Sequence, residues 1–174
     1  TDTIDLALDF YGYEDCPKNY EFGPSVRDNY VLHFITKGKG IFHFNKKEIH
    51  LEAGDLFLLP KNKVTYYKAD AEEPWSYYWI GISGTKVSDF MRFSTLHEKG
   101  FLKKTEVDTD RIGQFMEQLV HKAEASKMTS HYQLHLLSQI YELLYLIGEI
   151  APNVQKSYLS PTYQLYLTCK HVIE

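Results

Sequence analysis

Between residues 30 and 82 the chain consists of short alternating runs, each closed by a turn signal after about ten residues. Tyr30-Val31-Leu32-His33-Phe34-Ile35-Thr36 is aromatic and β-branched and predicts a strand. Lys37-Gly38-Lys39-Gly40 is a turn, and Ile41-Phe42-His43-Phe44 is the return strand. Asn45-Lys46-Lys47 reverses the chain into Glu48-Ile49-His50-Leu51, which alternates polar and apolar residues. After Ala53-Gly54-Asp55, the continuous apolar run Leu56-Phe57-Leu58-Leu59 predicts a strand buried on both faces, ended by Pro60. Further strands are expected over 64–68 and 75–82, separated by the solvated loop Asp70-Ala71-Glu72-Glu73-Pro74. Many short strands at such spacing fold as a sandwich or barrel.

Near residue 100 the period changes to that of helices. A short helix is expected over 87–93. Over 108–127, Ile112, Phe115, Met116, Leu119, Val120 and Ala123 form one apolar stripe, with Asp108 or Thr109 as the candidate cap. Ser130 is the candidate cap of a longer helix to about Ile150, in which Glu142 is the one polar residue between Tyr141 and Ile147. Seven consecutive helical positions cover the whole circumference, so this helix wants apolar partners on two sides. Either it is central, between barrel and preceding helix, or a second copy of the chain covers it. The dimer reading places Leu137, Tyr141, Leu144 and Ile147 in the contact. Ser160-Pro161 predicts one more helix, which runs to Glu174 without a stop signal, as though cut mid-helix.

Composition narrows the function classes. Nineteen basic against 23 acidic residues, a formal charge of -4, argue against a nucleic-acid surface or a polybasic membrane anchor on this chain. Cys16 and Cys169 cannot build a disulfide framework and fit a reducing, cytoplasmic compartment. The opening residues carry no signal-peptide pattern, and no apolar run is long enough to span a membrane.

Aromatic residues make up 15% of the chain and crowd into Tyr66, Tyr67, Trp75, Tyr77, Tyr78 and Trp79. Strand parity puts Trp75, Tyr77, Trp79 and Gly81 on one face, where glycine would leave room beside the rings. Tyr66 and Tyr78 have the opposite parity and suit core or interface. A saccharide needs aromatic faces for its C–H surfaces and polar groups for its hydroxyls. Trp75, Tyr77, Trp79 and Tyr67 could supply the first, or could equally be barrel core. Arg27 is a candidate polar arm, with a surface ion pair to Asp28 or Glu14 as the alternative. His33, mid-strand, is either a polar group inside the barrel or a satisfied core histidine.

Gly38-Lys39-Gly40-Ile41-Phe42 with Leu51-Glu52-Ala53-Gly54-Asp55-Leu56-Phe57-Leu58-Leu59-Pro60 resembles the amino-terminal domain of AraC-family transcription regulators. Trp75-Ser76-Tyr77-Tyr78-Trp79-Ile80-Gly81 is similar to that family's aromatic strand. Gly12-Tyr13-Glu14-Asp15-Cys16-Pro17, with Phe22-Gly23-Pro24 and Val26-Arg27-Asp28, is similar to the subgroup that controls raffinose and related sugar operons. The resemblance covers roughly residues 10–150. It implies a mainly β fold with α, a cupin double-stranded β-helix (jelly-roll barrel) over 1–100. A helical dimerisation region and linker helix would follow over 101–174. It further implies a saccharide effector, such as an α-galactoside like raffinose or melibiose, a homodimer, and DNA contact only through a helix-turn-helix domain that this chain does not contain. In the family, the places of Tyr77 and Trp79 face the effector. Tyr67 matches a tyrosine after the turn Pro60-Lys61-Asn62-Lys63-Val64, and Arg27 lies where an arginine often reaches the sugar. The family's arabinose example has a histidine where this chain has Tyr77.

The rival class is a metal-dependent cupin enzyme acting on a sugar or small acid. Such barrels aim two imidazoles of an H-x-H motif at one ion. Here the matching region has only His43, Glu48 and His50, and the i, i+4 pair His131 and His135 has no third ligand. No metal, cofactor or catalytic residue is therefore expected.

Overall fold

Period-two alternation becomes two facing antiparallel sheets in the computed structural model, which describes residues 4–126 and 129–154. The strands are β1 (Ala7–Asp15), β2 (Glu21–Ser25), β3 (Tyr30–Lys37), β4 (Lys39–Phe44), β5 (Lys47–Glu52), β6 (Leu56–Leu59), β7 (Thr65–Ala69), β8 (Ser76–Ser83) and β9 (Phe101–Leu102). One sheet has the order β1-β8-β3-β6-β9 and the other β2-β7-β4-β5. β1 thus pairs with β8, β2 with β7, β3 with β6 and β4 with β5, the pairs alternating between the two sheets as in a jelly roll, the double-stranded β-helix of cupins. The sequence pattern does not predict β1, β2 and β9. The strands expected over 30–36, 41–44, 48–51, 56–59, 64–68 and 75–82 form within a few residues of those bounds.

Turn chemistry sets the registers. Asn45 and Lys46 both take positive φ (53° and 63°), the geometry that joins twisted antiparallel strands through two residues. Phe44 and Lys47 pair directly across that turn. At the Gly54-Asp55 turn, the buried Asp55 carboxylate accepts from the backbone N–H of Glu52 (2.9 Å) and of Lys104 (3.0 Å). It ties the turn to the loop that follows β9.

Alternation divides the apolar residues between two cores. Val31, Ile35, Phe57, Leu59 and Tyr77 of the first sheet meet Phe42, Phe44, Leu51, Tyr67 and Ala69 of the second inside the barrel. On the outer face of the first sheet, Leu32, Leu56, Leu58, Tyr78, Ile80 and Ile82 pack under the helices. All four residues of β6 are buried, since its two faces serve both cores.

The helices are α1 (Val87–Met91), α2 (Leu96–Lys99), α3 (Thr109–Ala125) and α4 (Ser130–Ile150). Asp108 stands at the N-cap of α3 without a side-chain capping bond. The cap of α4 is Thr129 and not Ser130: its hydroxyl accepts from the backbone N–H of Tyr132 at 3.2 Å. Leu136, Ile140, Leu143, Leu146 and Ile147 of α4 are buried within the chain's own core, while Leu134, Tyr141 and Tyr145 are exposed. Of the four residues expected in a dimer contact, Ile147 is therefore enclosed, Leu137 and Leu144 are half-buried and Tyr141 is open. The helix expected from Ser160-Pro161 lies outside the described residues. No helix among the described residues is long and apolar enough to cross a membrane.

Candidate ligand site in the barrel

Tyr77 and Trp79 project from β8 into the barrel, while the alternate residues Tyr78, Ile80 and Ile82 pack beneath the helices. Trp75 precedes the strand and is fully enclosed, stacked on Phe57 with ring centres 5.1 Å apart. Gly40 lies directly against the Trp75 indole, leaving no volume for a Cβ there. The parity of Trp75, Tyr77 and Trp79 is as the sequence suggests, but their depths differ: Trp75 is floor, and Trp79 is half-buried.

Tyr77 stands edge-on to Trp79 (6.1 Å) and to His33 (4.8 Å). His33 stacks on Phe57 at 4.3 Å and lies 5.5 Å from Tyr67, which stacks on Phe22. Arg27 makes neither of the ion pairs weighed for it among the described residues. Its guanidinium sits 4.7 Å above the Phe22 ring and 5.8 Å from that of Phe10. The six side chains singled out from the sequence, Arg27, His33, Tyr67, Trp75, Tyr77 and Trp79, thus belong to one constellation.

Sequence reasoning missed the residues that β1, β2 and the loop between them contribute: Phe10, Gly12, Cys16, Tyr20 and Phe22. The alternation of Phe10 and Gly12 against Tyr11 and Tyr13 is the signal that could have found them. Gly81 leaves no open space beside the rings, because the Phe10 ring covers it. Reciprocally, the Trp79 ring covers Gly12, its partner in the β1–β8 pairing. Two glycine–aromatic crossings therefore close this side of the barrel.

Three buried polar atoms of the constellation have no hydrogen-bond partner among the described residues: Arg27 Nε, His33 Nδ1 and Trp75 Nε1. Each such atom costs about 1–3 kcal/mol if left unmatched. Burial lowers the pKa of His33 to about 3, against a smaller opposing contribution from the Val31 backbone. Burial pushes the Cys16 thiol up to about 11 and Tyr67 up to about 12. It raises Tyr77 as well, helped by Tyr67 and Cys16. At neutral pH these groups are uncharged donors and acceptors, with the Arg27 guanidinium at the rim. The constellation therefore offers neutral hydrogen-bonding groups set among aromatic rings.

The other histidines among the described residues lie elsewhere. His43 and His50 flank Glu48 at 3.7 and 3.5 Å on the second sheet. His131 and His135 are exposed on α4. Among the described residues no three His, Cys, Asp or Glu side chains converge as a metal site would require.

The family model described as "AraC-like ligand binding domain" matches residues 7–144. The Msm operon regulatory protein of Streptococcus mutans is 39% identical over 86% of this chain and 52% of its own length. The raffinose operon transcriptional regulatory protein of Pediococcus pentosaceus is 42% identical over 56% of this chain and 36% of its own length. The lactose operon transcription activator of Staphylococcus xylosus is 29% identical over 87% of this chain and 53% of its own length. The chain spans about half, or less, of the length of these relatives.

Proposed function

This chain belongs to the family of AraC-like ligand binding domains, and on that premise we propose that its barrel senses a saccharide for a cytoplasmic regulator of sugar-utilisation genes. The half-buried Trp79 ring, together with the unmatched Arg27 Nε at the rim of the barrel, carries this reading. Sugar hydroxyls supply a partner for Arg27 Nε at the rim, while a C–H face lies on the half-buried Trp79 ring. The raffinose operon regulator among the relatives favours an α-galactoside such as raffinose or melibiose over arabinose. The domain does no chemistry. Its ligand changes the free-energy difference between two arrangements of a dimer, read out by DNA-binding units elsewhere in the regulator.

A thermal-shift series with raffinose, melibiose, lactose and arabinose tests this. A ligand at a hundred times its Kd adds about 2.7 kcal/mol to the folded state. For a domain of this size that is a rise of roughly 5–10 °C. Raffinose or melibiose should give it, and arabinose a smaller one. Failure of every saccharide, with stoichiometric Fe, Mn, Ni or Zn in the purified protein, would favour the metal-dependent enzyme instead.

The dimer forms along the open face of α4. Leu134, Tyr141 and Tyr145 recur there at helical spacing, flanked by half-buried Leu137 and Leu144. Phe90 and Phe93 extend the strip into a groove of about 310 Å³ shared with Tyr141, Leu144, Tyr145 and Gly148. Antiparallel pairing of α4 with its copy buries this strip symmetrically, at about 2 kcal/mol per enclosed leucine before the costs of association. Sedimentation at micromolar concentration should give twice the chain mass of 20.4 kDa. Leu134→Lys should give the monomer with its folded circular dichroism intact, because the exposed Leu134 makes little of the core. A wild-type monomer would rule the interface out.

A further inference from the structure

The edge strand β1 touches the candidate site on one face and the helices on the other. Its register against β8 sets Tyr11 opposite Ile80 and Gly12 opposite Trp79. Gly12 has no side chain, so the Trp79 ring rests on the backbone itself. The next residue back, Tyr11, points away from the barrel, and its hydroxyl donates to the carbonyl of Ala123 at 3.1 Å. Ala123 lies in the last turn of α3, and its carbonyl also accepts from the backbone N–H of the C-cap Ser126 at 3.3 Å. The adjacent carbonyl, Lys122, accepts from the hydroxyl of Tyr132 in the first turn of α4 at 2.9 Å. Two neighbouring carbonyls at the end of α3 are thus held by tyrosines, one from the barrel and one from α4.

We propose that Tyr11 is a positioning residue that couples the setting of Trp79 in the barrel to the junction of α3 and α4. The proposal rests on the barrel being the effector site, and concerns its regulation. A ring that shifts to stack on a ligand displaces the Gly12 backbone directly. β1 is bonded to a neighbouring strand on one side only, with an irregular register between Leu8 and Phe10. That leaves it free to follow the ring. The Tyr11 hydroxyl moves with it, and a displacement of about half an ångström takes a bond of this length beyond useful hydrogen-bonding distance. The end of α3 then repositions relative to Tyr132 and α4, whose open face is the dimer strip.

The test needs no ligand. Trp79→Leu and Tyr11→Phe are made singly and together in the full 174-residue chain, and amide hydrogen exchange is followed over residues 119–126. Each single variant should change exchange there by about threefold to tenfold, the worth of one hydrogen bond. In the double variant, adding Trp79→Leu to Tyr11→Phe should change almost nothing, because the link is already cut. Independent, multiplying effects would show that Tyr11 is structural only and would overturn the proposal, as would a Trp79→Leu variant with unaltered exchange. If Trp79→Leu does not fold, Gly12→Ala perturbs the same ring from below. A wild-type protein that binds no saccharide counts against the sensing function and leaves this cycle readable.

Discussion

Trp75→Ala will destabilise the fold by about 3–5 kcal/mol, whereas Trp79→Ala will keep the fold and lose the ligand. The two tryptophans share one face, but their surroundings differ. Trp75 is wholly enclosed between Phe57, Tyr67, Tyr77 and the backbone at Gly40, so truncation opens a cavity that the β-strands cannot close. The loss lowers the melting temperature by roughly 10 °C or more. Trp79 is half-buried at the rim on Gly12, and its truncation costs about 1–2 kcal/mol of packing. A ring on which a sugar stacks counts among the few contacts worth about 2 kcal/mol or more, so affinity for raffinose should fall by about thirtyfold or more. Urea unfolding and calorimetry with raffinose separate the two effects. Wild-type affinity in Trp79→Ala would remove Trp79 from the site, and wild-type stability in Trp75→Ala would contradict its place as the floor.

Acid will weaken the protein through His33. Burial holds its folded-state pKa at about 3, against the ordinary histidine value of 6.5. Between those values the unfolded chain binds a proton that the folded chain refuses, so stability is lost as pH falls below about 6.5, by at most about 1.4 kcal/mol per pH unit. Above that pH both states hold a neutral imidazole, and the dependence vanishes. Asp15, Asp70 and Glu106, whose pKa values are lowered mainly by hydrogen bonds, add acid sensitivity nearer their own range. His33→Phe isolates the histidine, because phenylalanine keeps the stack on Phe57 and does not titrate. From pH 7 to pH 5, wild type should lose about 2 kcal/mol more than this variant in urea unfolding. Equal losses would mean that His33 is protonated in the folded barrel.

The alternation of apolar and polar residues between 30 and 82 determined by itself which side of each strand faces inward, because a strand's side chains have a period of two. Parity alone therefore groups Trp75, Tyr77 and Trp79, and the unbroken run at Leu56–Leu59 already means burial on both faces. The helical stripes of α3 and α4 are legible in the same way. Parity does not give depth, and only the tertiary structure separated Trp75 as floor from Trp79 as rim. Parity also says nothing of what lies opposite: the space beside Gly81 is filled by Phe10, which the β1–β8 pairing brings in from the start of the chain. The strands β1 and β2 carry Gly12, Gly23 and Pro24, which weaken local strand signals and are tolerated because neighbouring strands supply the pairing. Arg27 shows the same limit, since its nearest charges in sequence did not win it; the rings of Phe22 and Phe10 did. In α4 the surplus of apolar residues is evident from the sequence, but which of them the chain's own core takes was decided by the position of the first sheet and α3. Ile147 went inward and Tyr141 and Tyr145 stayed out, because a helix can bury against its own chain only the faces that its neighbours reach.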